Sequence, residues 1–256
     1  KKAGTAPFTK LQLRSFLLSP ESLEALVSWS RRLEEFELSY SFGDDFGSPG
    51  LYSDWSLATM QPILSIHQKT LRSIKLYGLN RGGLDGFDLR KFENLEELSL
   101  SAQLSGHQCS NGKRIPEPPD RLLSPRLGAF RWDFTLLDQQ STEMFSDFGQ
   151  AEEDWLRLFA HKALQHGCPL HRIDIKFTPE YDIYGAGEEV YPWDRMDSIK
   201  ADLRQYGIEV SYNPPCVGSD RFFMNLYNFA QHHPEMDAEV ERIRSTLGAR
   251  GIFSMV

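Results

Sequence analysis

Residues 33–39 read LEEFELS and residues 95–101 read LEELSLS. Both carry an apolar residue, two variable residues, a second apolar residue, one variable residue and a third apolar residue. The second and third apolar side chains are two apart, so in a strand they share one face. The first lies three residues earlier, where the chain turns into the strand. The same spacing recurs at Leu13, Phe16 and Leu18, at Leu71, Ile74 and Leu76, at Leu127, Phe130 and Trp132, and at Leu170, Ile173 and Ile175. Ile208, Val210 and Tyr212 keep only the alternating end.

A strand with one apolar face needs cover, and the segments between the copies can supply it. Residues 20–32 follow Ser19, an N-cap residue, and begin with Pro20 in the first helical position. Residues 53–69 bring Leu57, Met60, Leu64 and His67 to helical spacing, with Pro62 as a kink or restart. Residues 152–165 are the strongest amphipathic stretch: Trp155, Leu158, Phe159, Lys162 and Ala163 mark one face, and Gly167 and Pro169 end it. A fourth helix is expected over residues 194–205, ending at Tyr206 and Gly207. The expected fold is therefore α/β: an irregular leucine-rich-repeat-like solenoid, with parallel strands on one face and helices on the other. Its irregularity lies in the loops 43–54, 103–120 and 179–192.

Three regions follow. Residues 1–9 (KKAGTAPFT) resemble the translated scar of a recombination-cloning vector and are set aside from the fold. On that reading Lys10 begins inside a longer reading frame. Residues 10–213 form the repeats. Residues 214–256 form a helical cap or tail after Asn213, Pro214 and Pro215, with helices expected around 221–231 and 235–247. Phe222, Phe223, Leu226, Tyr227 and Phe229 are too apolar to stay in water. They either close the last repeat or dock on a partner.

The chain has 36 acidic against 28 basic side chains, a net charge of −8, and no basic run. That balance disfavours a phosphate backbone, so no nucleic-acid partner is expected. A hydrophobic fraction of 40% suits a packed core. No apolar run reaches the roughly 18 residues of a membrane span, so no membrane partner is expected either. Cys109, Cys168 and Cys216 are scattered and none lies in a CxxC, which suits the cytoplasm or nucleus.

Chemistry-bearing motifs are sparse. His161, His166, Cys168 and His171 gather possible soft ligands, but not in the tight pairs of a structural zinc site. His161 and His166 diverge on a helix. His232 and His233 read as a loop. The acid pairs Asp44/Asp45, Glu152/Glu153 and Glu188/Glu189 lack the alternation and glycine of a calcium loop. Glu152/Glu153 suits a first helical turn. Residues 81–86 (RGGLDG) are glycine-rich without a phosphate-binding pattern. No catalytic, metal or cofactor residue is assigned, and no enzyme activity is expected.

The arrangement points instead to a partner on the face opposite the buried one. The residues expected there are Ser15, Leu17 and Ser19; Glu35, Glu37 and Ser39; Ser73, Lys75 and Tyr77; Glu97, Ser99 and Ser101; Ala129, Arg131 and Asp133; and Arg172, Asp174 and Lys176. Acids dominate early in that series and Arg and Lys appear late. It reads either as a polarised surface that orients a partner or as ordinary solvated strands. Loop aromatics add candidates, Phe46 and Tyr52 in one loop and Tyr181, Tyr184, Tyr191 and Trp193 in another. Tyr191 and Trp193 read equally as plugs at the end of the repeats. The residues assigned to a partner are Glu35, Glu37, Lys75, Tyr77, Ser99, Arg131, Asp133, Arg172, Asp174, Lys176, Tyr184 and Trp193.

Four phrases carry a family resemblance: Arg32-Leu33-Glu34-Glu35-Phe36, the repeat at residues 71–76, the run RGGLDGFDL at residues 81–89, and YPWDRM at residues 191–196. They resemble the C-terminal repeat region of filamentous-fungal F-box proteins, over about Leu11 to Asn213. The resemblance implies a substrate-recruiting subunit of a ubiquitin ligase, in which an N-terminal F-box grips the ligase adaptor and the repeats hold the target. No F-box is read in these residues, so the adaptor would be met only through a segment outside them. A repeat scaffold or recognition protein unrelated to ubiquitination, secreted or not, is the alternative.

Overall fold

A computed structural model of the chain describes residues 2–14, 16, 18–39, 55–79, 83–104, 106–108, 114–116, 118–135, 144–179, 190–231 and 237–249. Its strands are β1 (Lys10–Arg14), β2 (Glu35–Ser39), β3 (Ser73–Tyr77), β4 (Glu97–Ser101), β5 (Gly106–Gln108), β6 (Arg114–Pro116), β7 (Ala129–Asp133), β8 (Arg172–Lys176) and β9 (Glu209–Tyr212). The helices are α1 (Pro20–Trp29), α2 (Leu57–Ser65), α3 (Gln150–Gln165), α4 (Pro192–Arg204), α5 (Ser219–Gln231) and α6 (Asp237–Ala249).

Seven strands make one open, all-parallel sheet in the order β1-β2-β3-β4-β7-β8-β9, while β5 and β6 pair as a separate antiparallel ribbon. Among neighbours in the main sheet, strand order follows chain order. The register aligns the repeat positions in rows. Leu11, Phe36, Ile74, Leu98, Phe130, Ile173 and Val210 form one; Leu13, Leu38, Leu76, Leu100, Trp132, Ile175 and Tyr212 form the next. Leu33, Leu71, Leu95, Leu127, Leu170 and Ile208, the residues that precede each strand, are buried beside them.

A repeated hydrogen-bond device fixes that alignment. The Thr9 carbonyl accepts from the backbone N–H groups of both Glu34 and Glu35, and the Glu34 carbonyl accepts from Arg72 and Ser73. Arg72, Glu96 and Gly128 serve the following strands in the same way. Each unit therefore sets the start of the next, and the sheet extends one short strand at a time.

Among the described residues the helical cover lies on one face, where the buried sides of α1 to α4 join the strand rows in a single apolar cluster. Helix α1 starts where Ser19 caps it, its side chain accepting from the Ser22 N–H. Helix α2 is capped by Ser56 and carries Pro62 within its span. In α3 the buried positions are Trp155, Leu156, Phe159, Ala160 and Ala163. Leu158, expected on the inner face, is 40% exposed, and Lys162 instead pairs with Asp120 at 3.0 Å. Helices α3 and α4 both end in a left-handed glycine, Gly167 and Gly207, with the following N–H reaching back five residues to Ala163 and Leu203. Among the described residues no helix separates β3 from β4; there Leu84, Phe87, Leu89 and Phe92 fill the core from irregular chain. Gly86 allows that chain to lie on α2: its φ is +75° and a Cβ would stand 3.1 Å from that of Ala58.

The first strand departs from the expected register. The Leu13/Phe16/Leu18 pattern places it too late; β1 occupies Lys10–Arg14, Leu11 and Leu13 take the buried rows, and Leu18 is 60% exposed. Phe8, Leu11 and Leu13 have the same apolar spacing and win because Phe8 packs edge-on against Trp29 at 5.9 Å. Residues 2–9, set aside in the sequence, are held by the end of α1. The Ala6 N–H donates to the Trp29 carbonyl, Arg31 donates to Ala6, and the Ser30 hydroxyl donates to the Phe8 carbonyl.

The tail packs within the chain. Phe222 on α5 lies 5.2 Å from Phe145 and 5.3 Å from Tyr191, and Phe223, Leu226 and Tyr227 are also buried. Phe229 lies outside the described side chains.

Candidate functional site

The sheet face opposite the helices carries three polar rows. Across the strands the first reads Lys10, Glu35, Ser73, Glu97, Ala129, Arg172, Glu209; the second Gln12, Glu37, Lys75, Ser99, Arg131, Asp174, Ser211; the third Arg14, Ser39, Tyr77, Ser101, Asp133, Lys176. Strand alternation puts them here: each lies between two apolar residues that the helices claim. Ten of the twelve residues assigned to a partner from sequence fall in these rows: Glu35, Glu37, Lys75, Tyr77, Ser99, Arg131, Asp133, Arg172, Asp174 and Lys176.

The first strand's offset changes the face. Lys10, Gln12 and Arg14 supply its contribution in place of Ser15, Leu17 and Ser19; Ser19 caps α1, and 15 and 17 lie outside the described residues. The early end is thus not purely acidic. Lys10 Nζ stands 2.8 Å from Glu35, and Gln12 donates to Glu37 at 2.8 Å. The late end is equally mixed: Arg172 pairs with Asp174 at 3.2 Å and reaches Glu97 at 3.9 Å, Ser211 donates to Asp174, and Lys176 lies 3.5 Å from Asp133. The expected acidic-to-basic gradient resolves into neighbouring pairs of opposite charge.

The centre differs. Tyr77 and Ser99 share a hydroxyl–hydroxyl bond of 2.7 Å, and the Gly78 N–H donates to the Ser101 hydroxyl. Burial pushes the Tyr77 phenol above its ordinary value, and its bond to Ser99 opposes the shift. Ser99, Ser101 and Asp133 are buried, and Asp133 also accepts from the Thr135 N–H. Lys75 and Arg131 flank Ser99 on the adjacent strands, and neither makes an ion pair or hydrogen bond among the described residues.

Trp193, assigned to a partner, is 3% exposed and must be reassigned. It opens α4 as its second residue, donates from Nε1 to the Asn213 carbonyl, and packs against Phe177, Phe145 and Tyr191. Tyr191 is buried with it. Its hydroxyl donates to the Val217 carbonyl, and burial pushes its pKa up to about 12. An aromatic in a long loop looks like an anchor in sequence, yet Pro192 starts a helix there and draws both rings inward. Tyr184, Tyr181, Phe46 and Tyr52 lie outside the described residues.

The possible soft ligands do not converge. The His161 ring lies against Tyr206, His166 approaches Asp120 at 3.8 Å, the Cys168 thiol donates to the Ser124 carbonyl, and His171 Nδ1 is 3.1 Å from the Pro169 carbonyl. Among the described residues no three His, Cys, Asp or Glu side chains gather as a metal site. Cys168 and Cys216 are free thiols, and Cys109 lies outside the described residues. Glu152 accepts from the Gly149 N–H at the start of α3, while Glu153 forms an ion pair with Arg195 at 2.7 Å. Asp44/Asp45, Glu188/Glu189 and His232/His233 lie outside the described residues.

The face offers charged and hydroxyl groups on short, aligned strands, an arrangement suited to side-chain hydrogen bonding with an extended surface. The segments that leave the C-terminal ends of β2, β4, β7 and β8 are long, whereas those entering β2, β3, β8 and β9 are short. The long loops read from sequence thus spring from one rim, beside the row of Tyr77, Ser101, Asp133 and Lys176. No family model, curated protein or solved structure matches the chain. Among the described residues, no helix is long and apolar enough to cross a membrane.

Proposed function

We propose that the chain is a protein-binding module, a leucine-rich-repeat-like solenoid that holds its partner against the uncovered strand face and the long loops at its rim. The observation that carries this reading is the alignment of three polar rows on one face while α1 to α4 cover the other. A parallel sheet in an α/β fold usually has cover on both faces. Here, among the described residues, the buried sides of α1 to α4 join only the strand rows of the other face. Strand order that follows chain order, and a carbonyl that sets each next strand, support the repeat interpretation.

Within that reading, the resemblance of residues 32–36, 71–76, 81–89 and 191–196 to the fungal F-box repeat region supports a more specific role. The module would recruit targets for a ubiquitin ligase inside the cell, with the ligase adaptor gripped by another part of the protein. It acts by binding rather than by turnover.

The test compares the tagged protein with a Glu37→Ala/Arg131→Ala/Arg172→Ala variant, both expressed in a filamentous fungus. All three residues are at the surface, so the melting transition should stay unchanged. Proteins that co-purify with the wild type should be depleted from the variant; equal recovery by both removes the strand-face reading. For the ligase role, the full-length protein should also bring down an F-box adaptor and a cullin. Recovery of neither leaves a repeat scaffold without a ligase.

A further inference from the structure

Most charges on the open face already have a partner. Lys10 is neutralised by Glu35, Arg172 by Asp174, and Lys176 by Asp133, while Glu37 accepts from the neutral Gln12 amide and keeps its charge opposite Lys75. At the centre, Lys75 on β3 and Arg131 on β7 stand on either side of Ser99 on β4 in one register row. Two strand spacings separate their backbones, roughly 10 Å. Both side chains are longer than half that distance and can converge above Ser99. The acids beside them are engaged: Asp174 takes Arg172 and Ser211, and Asp133 takes Lys176 and the Thr135 N–H.

Between the two cations lies the Tyr77–Ser99 hydroxyl pair. Two hydroxyls that share one bond use one hydrogen for it. The other hydrogen remains to donate outward. Two cations and one hydroxyl donor thus stand around Ser99, and the charge that faces them without an ion-pair partner is Glu37, across from Lys75 on β2. An incoming anion would meet both charges and a donor at once, and charge-assisted bonds of that kind are stronger than neutral ones.

We propose that Lys75, Arg131 and the Tyr77–Ser99 pair form a carboxylate-binding site that seats an Asp or Glu side chain of an acidic peptide segment in a protein partner. The inference rests on the strand-face reading above and adds the chemistry of its occupant. Charge complementarity favours a short acidic segment over a nucleic acid. A phosphate backbone would extend past the two cations onto Glu35, Glu97 and Glu209 as well as Glu37, whereas a single carboxylate would meet only Glu37 beside Lys75.

The probe is a fluorescein-labelled peptide, Ser-Gly-Glu-Asp-Glu-Gly-Ser, titrated into the full chain by fluorescence anisotropy. Its amide counterpart, Ser-Gly-Gln-Asn-Gln-Gly-Ser, and a phosphoserine counterpart serve as comparisons. The acidic peptide should bind at least tenfold more tightly than the amide, and less tightly as salt rises. Lys75→Ala/Arg131→Ala should abolish that difference; Lys69→Ala/Lys91→Ala, which removes two exposed cations outside the strands, should preserve it. Tyr77→Phe should weaken binding less than the double variant. Equal binding of acidic and amide peptides overturns the proposal, as does an equal loss in the two double variants. A tenfold preference for the phosphoserine peptide overturns the carboxylate assignment. If the peptide fails while the Glu37/Arg131/Arg172 variant still sheds its partners, the site falls and the strand-face reading stands.

Discussion

Single residues here do joining work between units. His67 sits at the end of α2 with Nε2 3.0 Å from the Val27 carbonyl, while its Nδ1 accepts from the Leu33 N–H. One ring thereby ties the close of α1 to the turn before β2. Tyr191 does the same between the start of α4 and the linker before α5. Its phenol has a folded pKa of about 12 against roughly 10 for an unfolded tyrosine. The unfolded chain therefore loses this proton first, so the contribution is fully present below pH 10 and is lost as pH rises toward 12. Unfolding free energy, measured by denaturant titration, should fall across that window. Tyr191→Phe should flatten the fall without removing it, because Tyr212 is also pushed up to about 12 by burial, with its bond to Asp197 adding to the shift. An unchanged slope in the variant would show that Tyr191 titrates normally.

At the scale of elements, the helical layer is joined by buried charge as well as by apolar packing. Arg195 on α4 reaches Glu153 and Gln150 on α3, while Arg157 on α3 donates to Ser198 and Asp202 on α4. Arg195 and Glu153 are both over nine-tenths buried. Breaking such a pair from one side costs about 3 kcal/mol or more where the remaining charge has no other counterpart, whereas Glu153 also holds Arg157 at 2.5 Å. Arg195→Ala, which leaves Glu153 with Arg157, should lose about 2 kcal/mol in chemical denaturation, the worth of hydrogen bonds to a charged group. Arg157→Ala should lose less, because its side chain is 25% exposed and water can replace part of the interaction. Equal losses would mean that the network acts through solvent-exposed contacts alone.

For the whole molecule, the single apolar cluster runs from Leu23 to Leu247 and includes the tail. The parallel edge at β1 depends on residues just before it: Thr9 supplies the carbonyl that starts β2, and Phe8 covers Trp29. Deleting residues 1–9 should therefore lower the melting temperature and shift the denaturant midpoint, even though these residues resemble vector sequence. A deletion that melts with the parent would show that the first unit needs no such anchor. The loss should exceed that of Phe8→Ala, because only the deletion also removes the Thr9 carbonyl.

By itself, the sequence determined the strands. Six of the seven main-sheet strands lie where the apolar spacing puts them, because a two-residue alternation admits only one buried face. It also determined four helix positions, helped by Ser19, Pro20, Gly167 and Gly207, since caps and breakers act within a turn or two of chain, although α4 starts at Pro192 rather than Asp194. Most of the open face was legible for the same reason. What the sequence left to the tertiary structure were choices between competing partners. Phe8 and Phe16 offer equivalent spacing, and only Trp29 selects Phe8. Trp193 has the composition of a surface anchor, and only the packing of Phe177 and Phe145 buries it. Charges that read as a gradient along the chain became pairs across strands, since Lys10 meets Glu35 only through β1–β2 pairing. Lys75 and Arg131 were each legible as polar face residues, but that neither forms an ion pair among the described residues depends on every neighbour in three dimensions.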